Sequence, residues 1–120
     1  MRRASAAALV LISLGACGPT PPQAPLPYAK KLDTSTSDIS TACGEAFQVM
    51  AFEGQNHADL AGIEGAAQRS ARKLASVYRR DPAWIYQGET VGEIVADAEQ
   101  MLGSCRLSPA LDVLRQATRR

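Results

Sequence analysis

The sequence predicts an all-α domain, a small bundle of three to four antiparallel helices, on three observations. Apolar residues recur at spacings of three and four along several stretches, helix-start and helix-stop residues bracket those stretches, and no β-type alternation of useful length occurs. A chain of 120 residues has room for one domain. The expected division is a leader over 1–16, a proline-rich segment over 17–35 and a helical domain over 36–120. A unit of that size buries only about 60 to 65% of its unfolded surface, so a covalent staple is expected.

Ser35, Thr36, Ser37 and Asp38 form a cluster of capping residues, after which Ile39, Ala42, Cys43, Ala46, Phe47 and Met50 share one helical face. Gly54 ends this helix and Asn56 caps the next. The second helix, from about His57 to Arg80, turns Leu60, Ile63, Ala67, Ala71 or Ser70, Leu74 and Val77 or Tyr78 inward. Its Gly62, Ala66 and Ala67 read as points of close helix approach. Asp59 and Glu64 near its start and Arg79 and Arg80 at its end complement the helix dipole. Asp81 and Pro82 stop it and lead into a short turn through Ala83, Trp84, Ile85 and Tyr86, interrupted by Gly88. Thr90, Val91, Gly92 and Glu93 then read as a capping box. The helix it opens carries the cleanest amphipathic stripe of the chain: Val91, Ile94, Val95, Ala98, Met101, Leu102 and Cys105. Ser108 followed by Pro109 restarts a last helix, docked by Leu111, Leu114 and Ala117.

Ahead of the helices, Arg2 and Arg3 precede an apolar run from Ala4 to Ala16. Its length of about 13 residues suits a signal peptide and falls well short of the ~20 that span a bilayer. The run ends in Leu14, Gly15, Ala16 and Cys17, which resembles the lipobox of a bacterial lipoprotein signal peptide. The resemblance implies cleavage before Cys17, a diacylglycerol thioether on its sulfur, and a second acylation point at the freed amine. Two or more acyl chains give stable anchoring where one is marginal. It implies a cell-envelope location, lipid-anchored on the extracytoplasmic side of a bacterial membrane, on the periplasmic face in a Gram-negative cell. Beyond Cys17, the stretch from Gly18 to Leu32 holds Pro19, Pro21, Pro22, Pro25 and Pro27. Proline locks φ and removes backbone donors, so an extended tether reaching up to ~50 Å at ~3.1 Å per residue is expected.

Three cysteines is an odd number for an exported chain. Assigning Cys17 to lipidation leaves Cys43 and Cys105, both on inward stripes and both in a compartment that favours oxidation. A disulfide between them closes a loop of about 62 residues, worth roughly 4 kcal/mol on the chain-entropy model. A metal site and a reactive thiol are the competing readings, but there is no CxxC and His57 is the only histidine, two residues from Asp59 and so on a different helix face. No metal or other cofactor is expected. Serine-hydrolase, P-loop and dinucleotide signatures are absent. Glu89, Glu93, Asp97 and Glu99 read as a solvated helix face rather than a catalytic acid pair. No constellation of catalytic groups assembles, and no enzyme is expected.

Charge bears on partners. Removing Arg2 and Arg3 from the 13 basic side chains leaves 11 against 12 acidic ones, interspersed in sign, which is no field for nucleic acid. The segment from Arg79 to Gly88 is the densest in large side chains. Trp84, Tyr86, Arg79 and Arg80 are the candidate interaction residues, because these types dominate interface hot spots when exposed. Ile85 reads as core; for Trp84 and Tyr86, a core plug between helices and an exposed contact are equally open.

The function expected is non-enzymatic: a lipid-anchored module that contacts an envelope protein or serves a structural role. A small-ligand or lipid carrier is the alternative, and it would need a closed apolar cavity of several hundred Å³ between the helices. Small exported helical proteins with one inter-helix disulfide include acid-stress chaperones of the HdeA kind and periplasmic immunity proteins. From Leu74 to Cys105 the chain is similar in architecture to the immunity proteins, with an apolar helix end, Arg80, Asp81, Pro82 and a helix closing on a cysteine. Their earlier internal cysteines are not matched.

Overall fold

A computed structural model describes residues 21–52 and 57–119; positions 1–20, including Cys17 and the residues before it, lie outside that set, as do Gly54, Asn56, Arg120 and the side chain of His57. Helix α1 runs Leu26–Ala51. It therefore begins inside the stretch expected to be extended, and the tether ends sooner than the proline content suggests. Pro25 is the cap residue and Pro27 lies in the first turn, where a missing N–H costs nothing because that donor has no intrahelical partner. The Tyr28 and Ala29 N–H groups both donate to the Pro25 carbonyl at 2.9 Å. Ser35 to Asp38 are consequently mid-helix residues and not caps. The helix passes through this polar cluster because Leu32, Ser35, Ile39, Ala42, Cys43 and Ala46 form one buried face, while the Thr36 hydroxyl turns back to the Leu32 carbonyl at 2.9 Å.

Helix α2 spans His57–Arg80 with Asp59 in its first turn and Arg79 and Arg80 in its last. Ala67, Ser70, Ala71, Leu74, Ala75 and Val77 are buried, and Leu60, Ile63 and Tyr78 half-buried. Small residues on both partners let α1 and α2 approach: Ala42 and Ala46 on one side, Ala67 and Ala71 on the other. Gly62 has no part in this, since a Cβ there would meet nothing within 4 Å.

A two-stranded hairpin that the sequence did not announce follows α2, pairing β1 (Ile85–Tyr86) with β2 (Glu89–Thr90). Gln87 and Gly88 both take positive φ, 50° and 85°, the type I′ geometry that matches strand twist. The Asp81 carboxylate accepts the Ala83 N–H at 2.9 Å and starts the turn. Helix α3, Val91–Ser104, opens on the expected capping box: the Thr90 hydroxyl accepts from the Glu93 N–H at 3.0 Å and the Glu93 carboxylate accepts from the Thr90 N–H at 2.9 Å.

The end of α3 is a Schellman turn. The Leu107 N–H donates to the Leu102 carbonyl and the Arg106 N–H to that of Gly103, with Arg106 at φ 61° in a left-handed position usually held by glycine. Helix α4, Ser108–Thr118, has Leu107 as its cap residue with no side-chain bond, so Ser108 stands one place inside the helix rather than capping it. Its Leu111 and Leu114 are buried and Ala117 half-buried.

The result is an all-α bundle in which α2 packs most extensively against α1 on one side and α4 on the other. Cys43 of α1 and Cys105 at the end of α3 form the expected disulfide, with Cα atoms 5.3 Å apart and both residues buried. Three residues assigned inward are instead exposed: Phe47 at 53%, Met50 at 42% and Met101 at 40%. Phe47 and Met50 lie in the last turns of α1, beyond the reach of the two shorter helices.

Two local features have measurable consequences. Ser35 is fully buried and its hydroxyl has no hydrogen-bond partner. Ser35→Ala removes the stranded polar group and is expected to raise the unfolding free energy by about 1 kcal/mol, read as a higher urea midpoint at unchanged slope. Arg106→Gly relieves a left-handed backbone position and is expected to add roughly 0.5–1 kcal/mol in the same measurement, the gain being reduced by the freedom glycine has when unfolded.

Candidate functional site

The site is built around Ile85. Its N–H donates to the Pro22 carbonyl and its carbonyl accepts from the Ala24 N–H, both at 2.9 Å, so the segment entering α1 lies as a parallel partner beside β1. On the other side β1 pairs with β2. Each bond fixes the position of Trp84 and Tyr86, the neighbours of Ile85, relative to the first turns of α1.

Trp84 stacks on Tyr28 of α1 with ring centroids 4.9 Å apart and planes tilted by 34°. The tilted, offset arrangement is the one that ring quadrupoles favour. Two cations flank the same tyrosine: the Arg80 guanidinium carbon and the Lys31 ammonium nitrogen each lie 5.8 Å from its centroid. At that distance both are within cation–π range. Arg79 is exposed at the same end of α2. Arg80 and Trp84 are thus brought together around a residue, Tyr28, that sequence reasoning had placed in the tether.

Tyr86 belongs to a different environment. It lines a cleft of about 200 Å³ between α1, the hairpin and α3, whose floor includes Ile39, Ile94, Ala98 and Met101 and whose rim carries Asp33, Glu89 and Asp97. Its hydroxyl donates to the Asp33 carboxylate; burial, then the negative charge of Asp33 and that hydrogen bond, push the phenol above its ordinary range. The Glu89 carboxyl is also raised, first by a hydrogen bond with Asp97, then by burial and by the like charges of Asp97 and Glu93. The four residues chosen from sequence therefore divide between two surfaces. Trp84, Ile85 and Tyr86 are all half-buried, so Ile85 is not a core residue, and neither aromatic is a full plug or a free contact.

The cleft is open to solvent, and its volume lies below the ~300–1,000 Å³ typical of small-molecule sites. A wider depression of about 600 Å³, between the last turns of α1 and the first of α2, is also open and is bordered by Phe52, Val49, Ile63 and the carboxylates Glu45 and Asp59. Neither is the closed apolar cavity that a carrier would need. Among the described residues, no group of three or more His, Cys, Asp or Glu side chains is placed to hold a metal ion.

Asp33 and Tyr28 were missed because the proline run concealed the helix they sit on. The available signal was the four-residue step from Tyr28 to Leu32, which extends the buried face of α1 backwards. Glu89 and Asp97 are exposed, as the helix pattern predicts, but periodicity along one helix does not show that the hairpin brings them together.

A carboxyl whose folded pKa lies above its unfolded one favours the folded state when protonated. Its contribution at neutral pH is a penalty, relieved as pH falls through the folded pKa. Asp97→Asn removes the first cause of the Glu89 shift. The variant is expected to lower the Glu89 titration midpoint by NMR and to be more stable than the parent near pH 7, with the difference shrinking on acidification to about pH 4. No known protein family, curated protein or solved structure matches this chain.

Proposed function

We propose that the protein is a lipoprotein of a bacterial envelope, held on the extracytoplasmic side by acylated Cys17, and that its helical domain is a non-enzymatic module that contacts another envelope protein. The observation that carries this reading is the pairing of the cysteines. Cys43 and Cys105 are bridged in the core, which leaves Cys17 as the third cysteine, in the sequence context of a lipobox behind a short apolar run. A structural disulfide also suits an oxidising compartment beyond the membrane.

For contact with a protein partner, the cleft beside Tyr86 is the favoured surface. It has an apolar floor, an acidic rim and room for about one large side chain, which suits an arginine or lysine projecting from a partner. The small-ligand alternative has no comparable support in the two open depressions.

Two measurements test the proposal. The intact mass of the mature chain is expected to show cleavage before Cys17 and added acyl mass; an unmodified Cys17 would overturn the anchoring. A photoreactive residue at Gln87, exposed on the cleft rim, is expected to capture a discrete partner in the native envelope. That adduct should fall at least tenfold when Asp33 and Asp97 are both changed to Arg. Capture unaffected by the charge reversal would reject the cleft as the contact surface.

A further inference from the structure

The proline segment ends much nearer the anchor than its composition implies. Pro22 and Ala24 are hydrogen-bonded to Ile85, so the domain begins at Pro22. Five residue steps separate Pro22 from Cys17, and a fully extended chain covers at most ~18 Å in that length. A domain held by acyl chains on Cys17 therefore has its Pro22 end at the lipid surface.

That end has the chemistry of a surface for anionic lipid. Lys31 in the early turns of α1 and Arg80 in the last turn of α2 flank Tyr28, which stacks on Trp84, and their chain neighbours Lys30 and Arg79 are exposed. Leu26, the first residue of α1, is 79% exposed, an apolar side chain beside a basic cluster. Of the carboxylates at this end, Asp33, Glu89 and Asp97 rim the cleft beside Tyr86, and Asp81 accepts the Ala83 N–H. The four basic side chains are the positive charge that this end offers to a lipid surface, in a mature chain that as a whole carries a slight acidic excess. Aromatic rings and long basic side chains beside an exposed leucine are the combination that settles at a headgroup boundary.

We propose that Leu26, Lys30, Lys31, Arg79 and Arg80 form a membrane-docking face that lies on the anionic leaflet holding the acyl chains, orienting the bundle with its α1 N-terminus toward the bilayer. The proposal rests on the lipid anchoring of Cys17. The anchor holds the face within reach of the leaflet, and the face sets the orientation. Basic residues near an anionic surface each shift such an equilibrium by about fivefold, an effect that fades within a Debye length of ~8–10 Å.

Trp84, the only tryptophan, reports on this contact. The lipidated protein would be reconstituted into phosphatidylcholine vesicles containing one quarter phosphatidylglycerol, with the bromine label on the phosphatidylglycerol or, in a second set at equal bromine content, in vesicles of phosphatidylcholine alone. Flotation reads anchoring; quenching of Trp84 reads docking. The expected result is full flotation in both sets, with strong quenching only where phosphatidylglycerol is present and relieved by high salt. Lys30→Gln and Arg79→Gln, at exposed positions outside the core, should each lower the docked-to-undocked ratio about fivefold while leaving flotation unchanged. A chain that floats while Trp84 is quenched equally in both sets, or not at all, overturns the docking face and leaves the anchor standing. A chain that does not float, with Cys17 unmodified by mass, removes the anchor and the inference with it.

Discussion

The two backbone groups of Ile85 join parts of the chain that are far apart in sequence, and most of what is distinctive in this bundle depends on them. Through its N–H and carbonyl, Ile85 binds the Pro22–Ala24 segment ahead of α1. Through its strand it places the hairpin turn at Gln87 and Gly88 and delivers Thr90 to cap α3. The Val91 N–H closes the same unit by donating to the Trp84 carbonyl at 2.8 Å. An extended proline-rich segment has few donors of its own, yet the two positions that meet Ile85 need only the Pro22 carbonyl and the Ala24 N–H. Proline at 21, 22 and 25 leaves both intact, so the segment is compatible with this pairing while remaining unable to extend it into a larger sheet.

The disulfide acts at a different place. Cys43 lies beyond the middle of α1 and Cys105 at the C-terminal end of α3, so the bridge holds the long first helix to the short third one where their direct packing is limited. A bundle of this size has a modest core, and many of its buried positions are alanine: 42, 46, 67, 71, 75, 98 and 110. Alanine permits close helix approach but buries little apolar area, about 0.8 kcal/mol per methyl-sized group. Restricting the unfolded chain through a long loop is the larger single contribution available to such a core. Cys43 is 4% and Cys105 1% exposed, so the bridge is shielded from solvent in the folded state.

What was legible in the sequence was what is decided locally. The capping box at Thr90 and Glu93 and the stripe from Val91 to Leu102 involve partners three or four residues apart, so α3 could be placed within a residue. The pairing of Cys43 with Cys105 was legible because both stripes face one core. What was not legible depends on distant partners. Prolines 25 and 27 read as a tether until Leu32, Ser35 and Ile39 are seen to need a continuous helical face. Phe47 and Met50 match the inward period, but periodicity does not say how far the neighbouring helices extend. With 26 residues, α1 is ~39 Å long, whereas α3 has 14 and reaches ~21 Å. Past that reach, α1 has only α2 to cover it, and the two side chains stay exposed. The candidate site divides in the same way. Trp84, Tyr86 and Arg80 stood out as residue types, but Tyr28 and Asp33, which determine what each of them faces, lay on a helix that the proline run concealed.

The length of the tether decides how much affinity a docking face must have. A cluster of four basic residues with one leucine is too small to hold a free protein on a bilayer, since even a single acyl chain gives only marginal binding. In the proposed lipoprotein, attachment at Cys17 would change the problem, because the acyl chains would bear the translational cost and the face would compete only against other orientations of a domain that is already there. A few charges then suffice to bias the outcome. The bias has structural consequences along the whole of α1. With its N-terminal end on the leaflet, its other end, bearing Phe47, Met50 and Phe52, points away by up to the ~39 Å length of the helix. A long flexible tether would leave the bundle tumbling and every face equally available. In the proposed docked state, a tether shortened by two hydrogen bonds to Ile85 would present the apolar helix end outward, so that the backbone pairing that shapes the local site would also bias which surfaces a partner can approach.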